Sequence, residues 1–280
     1  MDFDFDHIAV PFRMQPGLRR LPPGAPQLTR LDPAGALHDE KRKVLQAGSS
    51  RQCVPGFDPA PALAAIVDKA RSDGIRTEAD VPLELAFEED FAILDGNTTT
   101  LQWLCVCVPS HWAPEAKLGL SFTAVHAPVA DNALLRSAGD NLVQLVTGGD
   151  CWERFVWTVT PSPRYDQHPH RQARQPWPLA ADPDDFAARC FLRAERQTFF
   201  PVGRGTCQAV FTIRVMLQPL VQAVATPEQA QRLHDSLASM SDAVLDYRGL
   251  TAVRAPLLRW LARQAQARPA VSGNPPGDPP

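Results

Sequence analysis

From Thr99 onward, short apolar segments alternate with polar breaks that contain Pro, Gly or Asp. The apolar segments are rich in aromatic and β-branched residues, which favour the half-buried surface of a β-sheet. This pattern predicts about five strands, in the segments TTTLQWLCVCVPS, LSFTAVHAPV, CWERFVWTVT, FLRAERQTFF and CQAVFTIRVML.

Other segments place apolar residues at helical spacing. The segment DNALLRSAGDNLVQLVTGG, between the second and third predicted strands, indicates a helix that ends at Gly148. Thr226 is a helix-capping residue followed by proline, and it predicts a helix running to about Tyr247. Further helices are expected at residues 39–46, as a short solvated helix, and at residues 61–71 and 255–267. Together these elements predict an α+β fold with a largely antiparallel five-stranded sheet and inserted and C-terminal helices.

The distribution of proline and glycine predicts three regions of the chain. Residues 1–58 are Pro-rich and weakly periodic, so we expect them to wrap the core. Residues 59–268 form the predicted domain with its C-terminal helices, and residues 269–280 are a Pro/Gly-rich tail expected to be disordered. Residues 84–94 fit either a helix or a strand, because the acidic trio of Glu88, Glu89 and Asp90 interrupts an apolar run. The simplest interpretation of this trio is a solvated turn.

Composition excludes several classes of function. The 280 residues are 44% hydrophobic and 21% charged, with a net charge of −3, and Lys and Arg do not cluster with aromatic residues, which argues against nucleic-acid binding. The acidic start and the lack of an apolar run of about 18 residues predict a cytoplasmic protein without membrane contact. Six scattered cysteines without zinc-site spacing are expected to be buried, reduced thiols. Phosphate-loop, nucleophile-elbow and HExxH motifs are missing from the sequence.

Charged residues lie within strands that otherwise resemble core. Strand alternation places Arg193 and Glu195 on one face of FLRAERQTFF and Arg196 on the other. Arg154 and Arg214 occupy neighbouring predicted strands. Two interpretations are open: a network of Arg and Glu side chains that pair with each other, or a polar pocket for a shared anionic ligand such as a carboxylate.

His126 stands at the end of the predicted strand LSFTAVHAPV, just before a proline. A histidine in such a place is commonly a hydrogen-bonded core residue. A rigidly held, neutral imidazole in apolar surroundings is also what a proximal haem ligand requires. His111, in a turn, and His168 and His170, in a polar loop, are weaker candidates.

Three stretches resemble the signature segments of the haem-dependent oxidative N-demethylase α-subunit family. They are PSHWAPEAKLGLSFTAVHAPV, ERFVWTV and LRAERQTFFPVGRGTCQAVFTIRVMLQPL, and the opening PFRMQPGLRRL and DEKRKVL are similar as well. The resemblance runs from about Pro11 to Leu220. Its most specific positions are Trp112, Lys117, Gly119, His126, Pro128, Arg193, Glu195, Arg196, Gln197 and Thr198.

This resemblance implies a PAS-like domain that binds haem b. It implies that electrons from NADPH, delivered by separate FMN and 2Fe-2S reductase proteins, reduce the haem iron, which binds O₂. The implied substrate is a small methylated amine such as dimethylamine, oxidised at an N-methyl group to formaldehyde and methylamine. Carried onto this chain, His126 is the axial ligand, and Lys117, Arg193, Arg196 and Arg214 are candidates to pair with the propionates or orient the ligand.

The sequence departs from the family pattern at two places. Arg154-Phe-Val-Trp157 stands where the family has Arg or Asn followed directly by Trp, and Val129-Ala130 replaces Val-Pro after Pro128. The chain also contains no NADPH, flavin or iron–sulfur motif of its own. Two alternatives therefore stay open: a non-catalytic haem or small-molecule sensor with the same pocket, and a haem-free binding or scaffold protein in which His126 is a core residue.

Overall fold

The computed structural model of the protein describes residues 3–78 and 80–267; the tail predicted to be disordered, residues 269–280, lies outside them. The α-helices of the described chain are α1 (Ala36–Gln46), α2 (Ala60–Ser72), α3 (Leu83–Ala86), α4 (Phe122–His126), α5 (Ala133–Ser137), α6 (Gly139–Thr147), α7 (Pro183–Ala187), α8 (Leu220–Ala223), α9 (Pro227–Ala238), α10 (Asp242–Tyr247) and α11 (Arg254–Gln266). Short 3₁₀ helices occupy Phe5–His7, Pro114–Ala116 and Thr251–Val253.

The strands of the described chain form one antiparallel sheet in the order β1-β5-β6-β7-β3-β4-β2. The α+β class with a largely antiparallel sheet is thus confirmed, with seven strands instead of the five expected. The strands are β1 (Arg19–Arg20), β2 (Arg51–Cys53), β3 (Glu89–Asp95), β4 (Thr100–Cys105), β5 (Trp152–Thr160), β6 (Phe191–Pro201) and β7 (Gln208–Pro219).

The sheet has two covered faces, which we call the α4 face and the α9 face. On the α4 face, Phe199 and Phe211 stack at 4.6 Å between ring centroids and pack against Val143 and Val146 of α6. Helix α1 lies further along this face, where its Val44 packs near the strands β4 and β7. The α9 face is covered by α2 at one end and by the C-terminal helices α9, α10 and α11 at the other.

Four of the five predicted strands are present as β4, β5, β6 and β7. The fifth, LSFTAVHAPV, is wrong, because its central residues form helix α4. Strand β4 pairs with β3 along one edge and with β2 over residues 103–105 along the other, so only the start of β4 is open to the chain that follows. That chain pairs there through a single bridge between Ser121 and Thr100. Ser121 starts a helix there, since its Oγ accepts a hydrogen bond from the Ala124 N–H at 3.2 Å.

Strand β3 corrects the interpretation of the acidic trio as a solvated turn. Every residue of β3 is buried, and Asp90 is 2% exposed. The Nζ of Lys41 in α1 lies 3.0 Å from the Asp90 Oδ1 and is itself 0% exposed. Helix α1, expected to be solvated, therefore buries one of its faces against the sheet.

The helix predicted from Thr226 to about Tyr247 is two helices, α9 and α10. Its start is confirmed, because Thr226 and Gln229 form a capping box. Ser241 caps the second helix by accepting a hydrogen bond from the Val244 N–H at 3.2 Å. The helices predicted at residues 39–46, 61–71 and 255–267 are confirmed as α1, α2 and α11.

The six cysteines are all free. Cys105, Cys107 and Cys190 are buried as expected, whereas Cys53 and Cys207 are exposed, which contradicts the expectation for those two. None of the described helices is both long and apolar enough to cross a membrane.

Candidate functional site

The start of α4 is fixed to the sheet at the beginning of β4. The Phe122 N–H donates to the Thr99 carbonyl at 3.1 Å, and Ser121 forms a β-bridge with Thr100. Gly139, the first residue of α6, allows α4 to approach closely: a Cβ at this position would lie 2.8 Å from the Thr123 Oγ1. His126, the last residue of α4, is therefore carried on a helix that packs beside α6 on the α4 face.

The imidazole of His126 is held in one orientation. Its Nδ1 lies 2.8 Å from the Phe122 carbonyl oxygen, and its ring stands 4.1 Å from the Phe122 ring. Burial lowers the pKa of His126, and the positive charges of Arg154 and Lys117 lower it further, although the hydrogen bond to Phe122 opposes this. The ring is therefore neutral near pH 7 and carries its proton on Nδ1, because a carbonyl oxygen can only accept.

The other ring nitrogen, Nε2 of His126, makes no hydrogen bond to any residue that the structure describes. A neutral imidazole whose Nδ1–H donates to a backbone carbonyl presents a lone pair at Nε2, and this is the arrangement of a metal-ligating histidine. His126 stays a predicted metal ligand, and the structure places it on a helix and not on the predicted strand.

Lys117 is the one predicted anion-binding residue that lies against α4. Its Nζ donates to the Val125 carbonyl at 3.2 Å, which places the ammonium one residue from His126. A cation at this distance opposes protonation of the imidazole and favours a negatively charged group nearby.

Arg193 lies on the same face of the sheet but is fully engaged by the protein. It is 2% exposed, and its Nε donates to the Ser110 Oγ at 2.7 Å. Its two Nη atoms donate to the backbone carbonyls of Val108 at 3.0 Å, Tyr165 at 2.9 Å and Arg164 at 3.3 Å. These bonds fasten the segments after β4 and after β5 to strand β6.

Arg196 and Arg214 lie on the α9 face, across the sheet from His126. The Arg196 Nε donates to the Glu153 Oε2 at 2.9 Å, and its Nη2 donates to the Pro26 carbonyl at 2.8 Å. The Arg214 Nε donates to the Glu88 Oε2 at 2.6 Å. The structure therefore does not bring the four predicted basic residues together, and these two belong to Arg–Glu pairs.

Arg154 of β5 joins the α4 face in place of Arg196 and Arg214. It is directly opposite Gln197 in the antiparallel pairing of β5 and β6, so the two side chains share a face. Its Nε is buried and has no hydrogen-bond partner among the described residues. Burial lowers its pKa, and the nearby Glu195 carboxylate opposes that effect.

Glu195 is the one acidic side chain of β6, and it forms a small polar network on the α4 face. The Ser110 hydroxyl donates to its Oε1, and the Gln197 amide donates to its Oε2 at 2.7 Å. Ser110 was not identified from the sequence, because only the fold brings it beside β6, which lies more than 80 residues later in the chain.

A second group of possible metal ligands consists of Glu115, His168 and His170, whose ligand atoms lie within 4.8 Å of one another. The His168 Nε2 lies 3.0 Å from the Glu115 Oε2, and its Nδ1 accepts a hydrogen bond from the His170 N–H at 3.1 Å. Because Nδ1 accepts, the proton of neutral His168 resides on Nε2 and points to the carboxylate. This geometry is that of a hydrogen-bonded cluster, not of a free set of metal ligands.

His126 thus has a neutral imidazole whose Nε2 makes no hydrogen bond to a described residue, and it lies near the positive charges of Lys117 and Arg154. Such a site can bind a metal through one imidazole and attract acidic groups attached to that metal's ligand. A comparison with known protein families matches residues 74–258, about two thirds of the chain, to the model described as "Haem-dependent oxidative N-demethylase, alpha subunit-like". The matched span contains His126, Lys117, Arg154 and all of β3 to β7.

Proposed function

This chain belongs to the haem-dependent oxidative N-demethylase, alpha subunit-like family, and on that premise we propose that it binds haem b on its α4 face with His126 as axial ligand. The proposed reaction is the oxidative N-demethylation of a small methylated amine, of the dimethylamine class, by O₂. The proposed location is the cytoplasm, in agreement with the six free cysteines.

The observation that carries this proposal is the orientation of His126. Its Nδ1–H is engaged by the Phe122 carbonyl at 2.8 Å, its pKa is lowered mainly by burial, and its Nε2 has no partner in the described chain. A haem iron requires a neutral nitrogen donor whose other nitrogen is hydrogen-bonded. The buried Nε of Arg154 also lacks an acceptor, which fits a cofactor that carries carboxylates.

The arrangement of the sheet is also consistent with the PAS-like domain that the family implies. The five long strands β5-β6-β7-β3-β4 are adjacent and antiparallel, and helices α4, α5 and α6 connect β4 to β5. In this proposal His126 and Lys117, which lie in or against that helical connection, would hold the cofactor. The short strands β1 and β2 extend the sheet at its two edges.

The proposed roles of the basic residues follow from their positions. Lys117, against α4, would pair with a propionate. Arg193 would support the site by fixing neighbouring segments through its bonds to Ser110 and three backbone carbonyls. Arg196 and Arg214 act on the site only through the sheet, because both lie on the α9 face in ion pairs.

The haem, when bound, supplies O₂ binding and the oxidation of the N-methyl group. The chain's own residues orient the imidazole and place the Glu195 carboxylate on the same face of the sheet, where it would attract an alkylammonium ion. Because the sequence contains no NADPH, flavin or iron–sulfur motif, electrons must come from separate proteins. We propose an FMN and 2Fe-2S reductase that uses NADPH.

The experiment is an ultraviolet–visible titration of protein expressed with haem precursor, recorded in the ferric state, after dithionite reduction and after addition of dimethylamine. We expect a Soret band that shifts with reduction and with amine, and that is lost in His126→Ala. His111→Ala is the control, since His111 is exposed and should leave the band unchanged. A Soret band of normal position and intensity in folded His126→Ala contradicts the ligand assignment.

The same titration separates the enzyme from a sensor. A haem spectrum that responds to reduction and to carbon monoxide, but not to amine, supports a gas-binding sensor with the same pocket. No Soret band in any preparation supports a haem-free binding protein.

A further inference from the structure

A cleft of about 180 Å³ opens at the outer edge of strand β5. Strand β1 pairs only with Trp152 and Glu153, so the part of β5 that follows has no strand beside it in the described chain. The N-terminal segment from His7 to Arg19 arches over this edge and forms the opposite wall of the cleft.

Positive charge is concentrated in this cleft. Four arginines line it, and one of them, Arg19, is neutralised by Glu153 at 2.7 Å. Arg154 and Arg248 have no carboxylate within salt-bridge distance among residues 3–78 and 80–267. The fourth is Arg13.

Arg248 is fixed in the cleft by its surroundings. Its Nη1 donates to the Trp157 carbonyl at the free edge of β5. Its guanidinium carbon lies 4.6 Å from the centroid of the Phe12 ring and 5.6 Å from that of Trp157. Burial lowers the pKa of Arg248 to about 10, and the charge of Arg154 lowers it further while Tyr247 opposes this.

Two half-buried guanidinium groups, those of Arg154 and Arg248, form no ion pair with a described residue, and Glu195 offsets the charge of Arg154 only from beyond salt-bridge distance. Charged groups removed from water are normally paired, since an isolated one loses hydration that nothing replaces. The buried Nε of Arg154 lacks any acceptor in the described chain, so this atom is open to an acceptor from a ligand. A ligand with an acidic group would supply the missing ion-pair partner of both arginines.

The walls of the cleft indicate what the rest of that ligand is. Phe12, Met14 and Trp157 line the cleft beside the arginines, so an apolar or aromatic body can pack there while its acidic group meets the guanidinium groups. An inorganic anion would leave these apolar walls unused.

We propose that this cleft binds an organic carboxylate through Arg154 and Arg248, with the body of the ligand against Phe12 and Trp157. The carboxylate has two possible sources: a free small acid, or a propionate of a haem bound on the α4 face, which Arg154 also borders. The site is assigned from the cleft alone and does not depend on the haem.

The test uses the full-length, haem-free protein and isothermal titration calorimetry with benzoate, at constant ionic strength. We expect saturable binding that weakens at least tenfold in Arg154→Met and in Arg248→Met. Arg20→Met is the matched control, because Arg20 carries the same charge nearby but pairs with Asp150 outside the cleft. It should bind benzoate as the wild type does.

Thermal unfolding separates loss of the site from loss of the fold. Arg154→Met removes a charge that forms no ion pair with a described residue, so its melting temperature without ligand should equal or exceed that of the wild type. Benzoate should raise the melting temperature of the wild type but not that of Arg154→Met.

Repeating the titration with haem-loaded protein identifies the source of the carboxylate. If the haem-loaded protein still binds benzoate, the natural ligand of the cleft is a free acid. If haem abolishes benzoate binding, a haem propionate occupies the cleft. The proposal is overturned if benzoate does not bind the haem-free protein, if neither arginine variant weakens binding, or if inorganic phosphate binds equally well. None of these results depends on whether His126 ligates iron.

Discussion

Glu89 shows how a single buried side chain sets the pH response of this protein. It is 1% exposed, its Oε2 accepts a hydrogen bond from the Thr29 N–H at 2.9 Å, and its Oε1 has no partner in the described chain. Burial raises the pKa of Glu89 to about 7, although the bond from Thr29 opposes this. The folded protein therefore holds a proton there that the unfolded chain has released.

We predict that Glu89 makes the protein less stable as the pH rises. The unfolded carboxyl ionises near pH 4.5 and the folded one near pH 7, so the free energy of unfolding falls across that window and levels off above it. Glu89→Gln should remove this fall and be more stable than the wild type at pH 8 by on the order of 3 kcal/mol. Urea unfolding at several pH values between 4.5 and 8 measures the free energy of unfolding of both proteins.

Glu78→Gln is the control for this measurement, because Glu78 is exposed and only loosely paired with Arg30 at 3.9 Å. Its pH dependence should match that of the wild type. Parallel curves for Glu89→Gln and the wild type would contradict the prediction.

At the scale of elements, one ion pair fastens helix α1 to the sheet. The Nζ of Lys41 lies 3.0 Å from the Asp90 Oδ1 and donates to the carbonyls of Phe87 at 3.1 Å and Glu89 at 2.8 Å. The Asp90 Oδ2 accepts the backbone N–H groups of Cys107 and Val108, just after β4. Burial alone lowers the pKa of Lys41, but Asp90 outweighs it and the pKa ends above its ordinary value.

We predict that Lys41→Met destabilises the protein by about 3–5 kcal/mol, because it leaves the Asp90 carboxylate buried without its cation. Lys43→Met, on the exposed side of the same helix, should change the free energy of unfolding by less than about 0.5 kcal/mol. Guanidinium denaturation at pH 7 measures both. Equal stability of the two variants would show that the ion pair does not anchor α1.

At the scale of the whole molecule, the family shows dependence on haem, and an oxidase of this kind requires redox partners and O₂. The proposed site lies on one face of a single sheet, and the chain has no sequence motif for delivering electrons to it. The proposed function therefore divides between this protein and at least one reductase.

We predict that the isolated, haem-loaded chain does not oxidise NADPH when dimethylamine is added. Addition of a flavin and iron–sulfur reductase should produce amine-dependent NADPH consumption with release of formaldehyde. His126→Ala should abolish that activity, and His111→Ala should retain it. Amine-dependent NADPH consumption by the chain alone would refute the division between subunits.

The sequence by itself determined the elements whose signals are local. The aromatic and β-branched runs of β5, β6 and β7, and the capping box at Thr226, lie within a few neighbouring residues, so they are visible without the fold. The sequence also determined the family, through motifs that lie around β4 to β7 in the structure. The alternation of side chains along a strand was enough to place Arg193 and Arg196 on opposite faces of the sheet.

Tertiary structure decided what depends on distant partners. The segment holding His126 has strand composition, yet it pairs with β4 only at the bridge between Ser121 and Thr100 and then continues as a helix, because β2 and β3 occupy the rest of β4. Lys41 and Asp90 are polar residues that a sequence assigns to the surface, and they are buried because they meet across 49 positions. Contacts also decide which arginines form ion pairs: Arg196 and Arg214 pair with glutamates, whereas Arg154 and Arg248 form no ion pair with a described residue. The burial of a side chain and its ion pairs depend on residues that are close in space but distant in sequence. They therefore follow from the fold and not from the local sequence pattern.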